Sequence, residues 1–254
     1  AYDSVSRGYL FRLLEKIGLP SGITALIKAL YKNIKAFPIL TDPHKVTIDM
    51  PNGLKQGCPL SPLLFNLALD PLLTKMSELQ GADIEAYCDD LGIGSSDWEI
   101  FPKALNLITE FNTISNMRSN ISKCFIITSA SHPPSLRSLL PPSWTSIRYT
   151  QKYKYLGILI GPGVDVNDVF HDAWTKLESR VARYMPLKPF YNTQNRVIIS
   201  NAFLSSIFSY LFRFYMMGED YQRDVERLIT TWLVPANRFK YDHLTASTTS
   251  AGLA

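Results

Sequence analysis

The sequence predicts an α+β chain: a mixed region of helices and short antiparallel strands, followed by a wholly helical region. Three observations carry that expectation. An acidic pair, Asp89-Asp90, interrupts two short apolar runs, with Ile84, Ala86 and Tyr87 before it and Leu91 and Ile93 after it. That is the pattern of a strand, a tight turn and a second strand. Leucines and isoleucines recur at helical spacing on both sides of this hairpin. From Val166, just after Gly161-Pro162-Gly163, the texture becomes helical throughout.

The elements follow in order. Ser4 or Ser6 can cap a first helix with Leu10, Leu13, Leu14 and Ile17 on one face, ending at Gly18 with Pro20 beyond. A second helix aligns Ile23, Leu26, Ile27, Leu30 and Ile34. Residues 36–50 look extended, and Asn52-Gly53 marks a turn. A third helix starts near Ser61-Pro62, where Pro suits the first turn, and Pro71 should kink or end it. A helix over 99–115 leads to a strand near 125–128, and residues 129–143 are Ser- and Pro-rich, as in a loop. Strands near 147–149 and 153–160 should form a sheet closing at Gly161. In the helical region Val169, Phe170, Ala173, Leu177 and Val181 line one helix; Val197, Asn201, Leu204, Phe208 and Leu211 a second; Val225, Leu228, Ile229 and Trp232 a third. The tail from Thr245 is small and polar, as in a frayed terminus. No internal repeat is visible.

At 254 residues with 46% hydrophobic content, the chain can bury a sizeable core. Its net charge is only +4, but the distribution is uneven. Between residues 147 and 197 eight basic residues (Arg148, Lys152, Lys154, Lys176, Arg180, Arg183, Lys188, Arg196) face four acidic ones (Asp165, Asp168, Asp172, Glu178). A positive stripe of that kind suits a phosphate backbone, and a solvated helix face would show the same surplus. Cys58, Cys88 and Cys124 have no C-x-x-C spacing, which argues for reduced thiols in an intracellular chain rather than disulfides or a zinc site. No signal peptide opens the chain. The most apolar stretch, 197–212, carries Asn201 and four serines and falls short of the roughly 20 apolar residues of a spanning helix, so a buried core helix and no membrane partner are expected.

Adjacent carboxylates repel one another unless a cation compensates, and hard oxygen donors suit Mg²⁺, which takes one or two carboxylates plus substrate phosphates. A polar hairpin turn would also use Asp. Upstream of Tyr87-Cys88-Asp89-Asp90 runs Leu54-Lys55-Gln56-Gly57-Cys58-Pro59-Leu60-Ser61-Pro62-Leu63-Leu64-Phe65-Asn66; downstream come Asn120-Ile121-Ser122-Lys123 and Tyr155-Leu156-Gly157. Four motifs in this order resemble the reverse transcriptase domain of retrotransposon polyproteins, above all the non-LTR (LINE-like) class. The resemblance covers nearly the whole chain.

The resemblance implies an RNA-directed DNA polymerase with a right-hand palm (an antiparallel sheet with packed helices) over 1–163 and a helical thumb over 164–254, the fingers being absent. It implies two-metal nucleotidyl transfer with Mg²⁺ or Mn²⁺, on an RNA template, a DNA primer and deoxynucleoside triphosphates, inside the cell, in the nucleus or cytoplasm if the host is eukaryotic. It implies that Asp89 and Asp90 bind metal, and that Lys123 protonates or neutralises the departing pyrophosphate. Tyr2 would lie under the incoming sugar and exclude a 2′-hydroxyl. Gln56 and Gly57, ahead of a helix N-terminus, would meet the template base and the nucleotide. Tyr155, Leu156 and Gly157 would grip the primer, and Arg180, Arg183, Lys188 and Arg196 would hold the duplex by its phosphates.

One departure stands out. In the family a first metal-binding aspartate lies about four residues before Ala-Tyr-Asp, and here the chain opens on Ala1-Tyr2-Asp3. Asp3 is then a cap or polar anchor rather than a ligand, and the chain alone is expected not to polymerise. A catalytically dead, nucleic-acid-binding relic of the same fold is the main alternative. An RNA-dependent RNA polymerase or a nucleotide cyclase is a further one, although the run from Gly57 to Asn66 is foreign to both.

Overall fold

The computed structural model describes residues 2–36, 47–129 and 136–234. It divides into two compact units, residues 1–124 with 132–148, and residues 125–131 with 149–254. This division falls before residue 163, so the Tyr155 hairpin lies in the same unit as the helices that follow it.

In the first unit, Ser6 opens α1 (Arg7–Lys16) by accepting a hydrogen bond from the Tyr9 amide, as the sequence predicts. Leu10 and Leu14 are buried, whereas Ile17 is exposed. The second helix, α2 (Ser21–Leu30), differs from the expected orientation. Thr24, Ile27 and Tyr31 form its buried stripe, while Ile23, Leu26 and Leu30 are exposed. Periodicity was compatible with both stripes, and the hydroxyls of Thr24 and Tyr31 find partners at Leu19 and Ser61, so two polar residues turn inward. Strands β1 (Lys35–Ala36) and β2 (Ile48–Asp49) pair antiparallel; most of the expected extended segment 36–50 lies outside the described residues.

Helix α3 (Ser61–Ser77) runs through Pro71 and does not end there, which removes one of the two outcomes expected of that proline. Its buried face has Leu64, Phe65 and Ala68 before the proline and Leu72 and Met76 after it, and the Tyr9 hydroxyl donates to the Ala68 carbonyl at 2.9 Å, three residues before the proline. Strands β3 (Asp83–Tyr87) and β4 (Asp90–Gly94) form the expected acidic hairpin. Helix α4 (Ile100–Ser115) ends at Asn116, left-handed at φ 58°, the conformation that terminates a helix. The expected 129–143 loop contains a short helix, α5 (Leu136–Leu139), and a single tight turn at Pro142–Trp144; residues 130–135 lie outside the described residues. Buried Trp144 donates to Thr109 on α4 at 2.9 Å.

In the second unit β5 (Phe125–Ile127) runs beside β6 (Arg148–Thr150), with the Thr128 amide on the Thr150 carbonyl. The single expected strand over 153–160 is instead a hairpin of β7 (Tyr153–Tyr155) and β8 (Ile158–Ile160). Among the described residues the strands make four separate two-stranded pairs rather than one sheet. Helix α6 (Val166–Tyr184), capped by Asp165, buries the five positions its spacing predicts. It packs with α8 (Glu219–Leu233), whose Val225 and Trp232 are buried, around Leu204 and Phe208.

The continuous core helix expected over 197–212 is broken. Helix α7 (Thr193–Ile199) gives way to a wide turn at Ser200–Leu204 and then to short tight turns. Val197, Ile198 and Phe203 are exposed while Leu204 and Phe208 are buried, because successive changes of winding alter which residues face inward. No described helix is long and apolar enough to cross a membrane. The tail from Thr245 lies outside the described residues.

Candidate functional site

The β3–β4 register pairs Tyr87 with Asp90, leaving Cys88 and Asp89 as a two-residue turn. Cys88 takes φ 53°, so the first turn position is left-handed although it is not glycine. Such a conformation costs about 1–2 kcal/mol in an L-residue and fits the first position of a primed hairpin turn. Asp89 therefore stands at the tip and Asp90 begins β4; Tyr87, Cys88, Asp89 and Asp90 are all exposed.

Tyr2 lies within electrostatic range of this turn. Its ring stacks on Phe65 of α3, with centroids 4.6 Å apart and planes within 9°. Burial raises the phenol pKa, and Cys88 and then Asp89 raise it further. The residue expected beneath the sugar and the aspartate expected to bind metal thus lie in one electrostatic neighbourhood.

The chain from Tyr2 to Val5 is also bonded to the loop ahead of α3. The Gly53 amide donates to the Val5 carbonyl at 2.8 Å and the Leu54 amide to Tyr2 at 2.9 Å. Gly53 has φ 86°, and a Cβ there would lie 2.6 Å from the Asp3 carbonyl oxygen, so only glycine fits. Gln56 donates from Nε2 to Asp3 Oδ1 at 3.2 Å, which makes Asp3 a polar anchor of the loop. Gly57 has φ 77° and open space on its Cβ side. Next to it, hydrogen bonding from Leu60 at the start of α3 lowers the Cys58 thiol pKa, against the opposing effect of burial. All three cysteines are free.

Arg7 was not singled out by its sequence context. It is buried, and it donates to the carbonyls of Gly53 (2.9 Å), Asn52 (3.0 Å) and Tyr31 (3.2 Å). Burial lowers its pKa and Tyr31 partly offsets this. Its available signal was a cation on the apolar face of α1, three residues before Leu10 and seven before Leu14.

Lys123 sits exposed in a single turn over Ile121–Lys123, where Asn120 accepts from Ser122 at 2.6 Å. Among the described residues no group of three or more His, Cys, Asp or Glu could hold a metal. Asp89 and Asp90 are a pair of hard oxygen donors on an exposed turn; that set fits Mg²⁺ with substrate phosphates completing its shell.

In the second unit Leu156 (φ 47°) and Gly157 (φ 84°) are both left-handed, the signature of a type I′ turn. The Tyr210 hydroxyl donates to the Leu156 carbonyl and that of Tyr215 to Leu159, each at 2.7 Å, and neither tyrosine was foreseen. Lys152 and Lys154, two apart on one side of the hairpin, pair with Asp168 (2.6 Å) and Asp172 (2.7 Å), four apart on α6. The strand period of two meets the helix period of four, so the pairs align.

That pairing reduces the expected basic stripe. Arg148 donates to the Ser122 carbonyl, Arg180 to the Phe203 carbonyl at 2.5 Å, and Arg196 is buried. The Lys188 ammonium donates to Thr231 (2.5 Å) and Val234 (2.6 Å), closing the C-terminus of α8, and burial followed by Arg196 lowers its pKa. Lys176 and Arg183 remain as exposed cations of the stripe.

Comparison with known proteins adds to this geometry. The sequence model of the family described as reverse transcriptase (RNA-dependent DNA polymerase) matches residues 1–160. The chain is 28% identical over 174 residues to the Retrovirus-related Pol polyprotein from type-2 retrotransposable element R2DM of Drosophila melanogaster, covering 62% of this chain and 16% of that protein. It is 31% identical over 178 residues to the Retrovirus-related Pol polyprotein from type-1 retrotransposable element R2 of Popillia japonica, covering 62% and 29%. It is 24% identical over 219 residues to the Transposon TX1 uncharacterized 149 kDa protein of Xenopus laevis, covering 81% and 16%. The chain thus spans less than a third of the length of each of these relatives.

Proposed function

Because the chain belongs to the reverse transcriptase (RNA-dependent DNA polymerase) family, in its non-LTR retrotransposon branch, we propose that it forms the core of a polymerase copying RNA into DNA by two-metal nucleotidyl transfer. The observation that carries this reading is the convergence of Tyr2, the Asp89 turn and the Gln56 loop within one unit. When bound, Mg²⁺ or Mn²⁺ would stabilise charge on the attacking and leaving oxygens.

In this proposal Asp89 and Asp90 hold the metal. Tyr2, rigid against Phe65, excludes a sugar 2′-hydroxyl by contact. Gln56 and Gly57 bind the nucleotide and template base, with the open face of Gly57 allowing close approach. Lys123 delivers a proton to, or neutralises, the leaving pyrophosphate. Residues 1–163 act as palm and 164–254 as thumb. Tyr155, Leu156 and Gly157 place backbone against the primer, and Arg180, Arg183 and Lys188 meet duplex phosphates, Lys188 least because its ammonium already serves α8.

The test is primer extension on an RNA template by the full-length polyprotein, where Asp89→Asn is expected to abolish extension with the fold retained. A second reading is a nucleic-acid-binding fold without catalysis, in which the exposed Asp89-Asp90 turn is a polar hairpin tip. Template–primer binding by a wild-type polyprotein that does not extend would select it.

A further inference from the structure

We propose that Arg7 is a positioning residue for sugar selection: its guanidinium locks the Tyr2–Val5 segment and the loop from Gly53 to Gln56 into one unit, so that the Tyr2 ring and the Gln56 amide keep a fixed spacing. The proposal deepens the polymerase reading and rests on it.

The two segments are joined at three points: Gly53 to Val5 and Leu54 to Tyr2 through the backbone, and Gln56 to Asp3 through side chains. Short loops with so few bonds would fray without an anchor behind them. Arg7 provides one. It opens α1, two residues after Val5, and its fork takes the carbonyls of Asn52 and Gly53, which belong to the same peptide groups as the Gly53 and Leu54 amides bonded to Val5 and Tyr2. Its third bond, to Tyr31, ties the same point to the end of α2. Among the described residues no carboxylate pairs with it, so its contacts are to backbone and ring, and what they set is geometry rather than charge neutrality.

The other end of the loop is held through the same aromatic ring. Arg7 and Lys55 lie against Tyr31, 5.6 and 5.7 Å from its centroid. The Tyr31 hydroxyl meets Ser61 Oγ at 2.9 Å, and Ser61 Oγ donates to the Lys55 carbonyl at 2.6 Å. The segment from 52 to 55 is therefore fastened on both sides of the residues that bond to Tyr2 and Val5. A lysine at position 7 could reach one carbonyl but not fork to three.

Two measurements test this. In the 254-residue chain, Arg7→Met should speed hydrogen exchange at the Gly53 and Leu54 amides by about tenfold or more, with α3 amides such as Ala68 unchanged, and Arg7→Lys should fall between. In the full-length protein the ratio of kcat/KM for deoxynucleoside over nucleoside triphosphates should fall by about tenfold in Arg7→Lys, since loosened steric exclusion of one hydroxyl is a modest discrimination. Should Arg7→Met fail to fold, Arg7→Lys carries both arms. Unchanged exchange, or faster exchange with an unchanged ratio, overturns the proposal. A wild-type protein that extends no primer overturns the polymerase reading instead, and exchange still decides whether Arg7 holds the segments together.

Discussion

Tyr2 lies flat on Phe65, centroids 4.6 Å apart with planes within 9°, and burial, then Cys88 and then Asp89, raise its phenol pKa. The raised pKa means that the folded state favours the protonated phenol, so the associated stability is full below the ordinary tyrosine value and is lost as pH rises through the raised one. Asp89→Asn should move the Tyr2 titration downward, though not to the ordinary value, because burial is the larger cause. Carbon NMR of ring-labelled tyrosine reads this directly. An unmoved Tyr2 titration would place the turn away from the ring.

The isolated 254-residue chain is expected not to extend a primer, since two-metal chemistry needs a carboxylate cluster and among the described residues no group of three or more His, Cys, Asp or Glu could hold a metal. Gel-resolved primer extension on RNA with Mg²⁺ or Mn²⁺ checks this. Clear extension would call for a third ligand within the chain, and Asp3 would be the first residue to substitute.

Gly53→Ala should destabilise the fold markedly, because φ 86° costs an L-residue about 1–2 kcal/mol and the added Cβ would also sit 2.6 Å from Asp3 backbone. Gly57→Ala, at φ 77° with open space, should cost only the conformational part. Urea midpoints with unchanged m-values measure both. Equal losses at the two positions would contradict the tight approach.

The hairpin–helix pairs of the second unit should be acid-sensitive. Hydrogen bonds from Lys152 and Lys154 lower the pKa values of Asp168 and Asp172. Their stabilisation is complete above the ordinary carboxylate value and is lost as pH falls through the lowered ones. In the Lys152→Met/Lys154→Met double variant both carboxyl titrations should move up, seen by carbon NMR. Unmoved titrations would mean that neither pair persists in solution.

Lys188 and Arg183 should separate by assay. Lys188→Met removes the donor at the α8 C-terminus and should cost about 1 kcal/mol in denaturant unfolding, with little effect on the salt dependence of template–primer binding. Arg183→Ala should leave stability within about 0.5 kcal/mol and flatten the slope of log K against log salt by at most about 0.9. The opposite pattern would return Lys188 to the duplex face.

By itself the sequence determined what depends on neighbours along the chain. A serine cap ahead of α1, the acidic hairpin and the five buried positions of α6 follow from local spacing, and the order of four motifs sufficed to identify the family. Tertiary structure alone decided what depends on distant partners. Thr24 and Tyr31 turn inward beside Ile27 on α2, where the Leu19 carbonyl and Ser61 receive their hydroxyls, and α3 continues past Pro71 with buried apolar residues on both sides of it. Lys152, Lys154 and Lys188 read as free cations in sequence, yet their partners lie 16, 18 and 43 or more residues away. Arg7 is the clearest case: its partners at Tyr31, Asn52 and Gly53 are carbonyls, which every residue carries, so no side-chain pattern could have announced them.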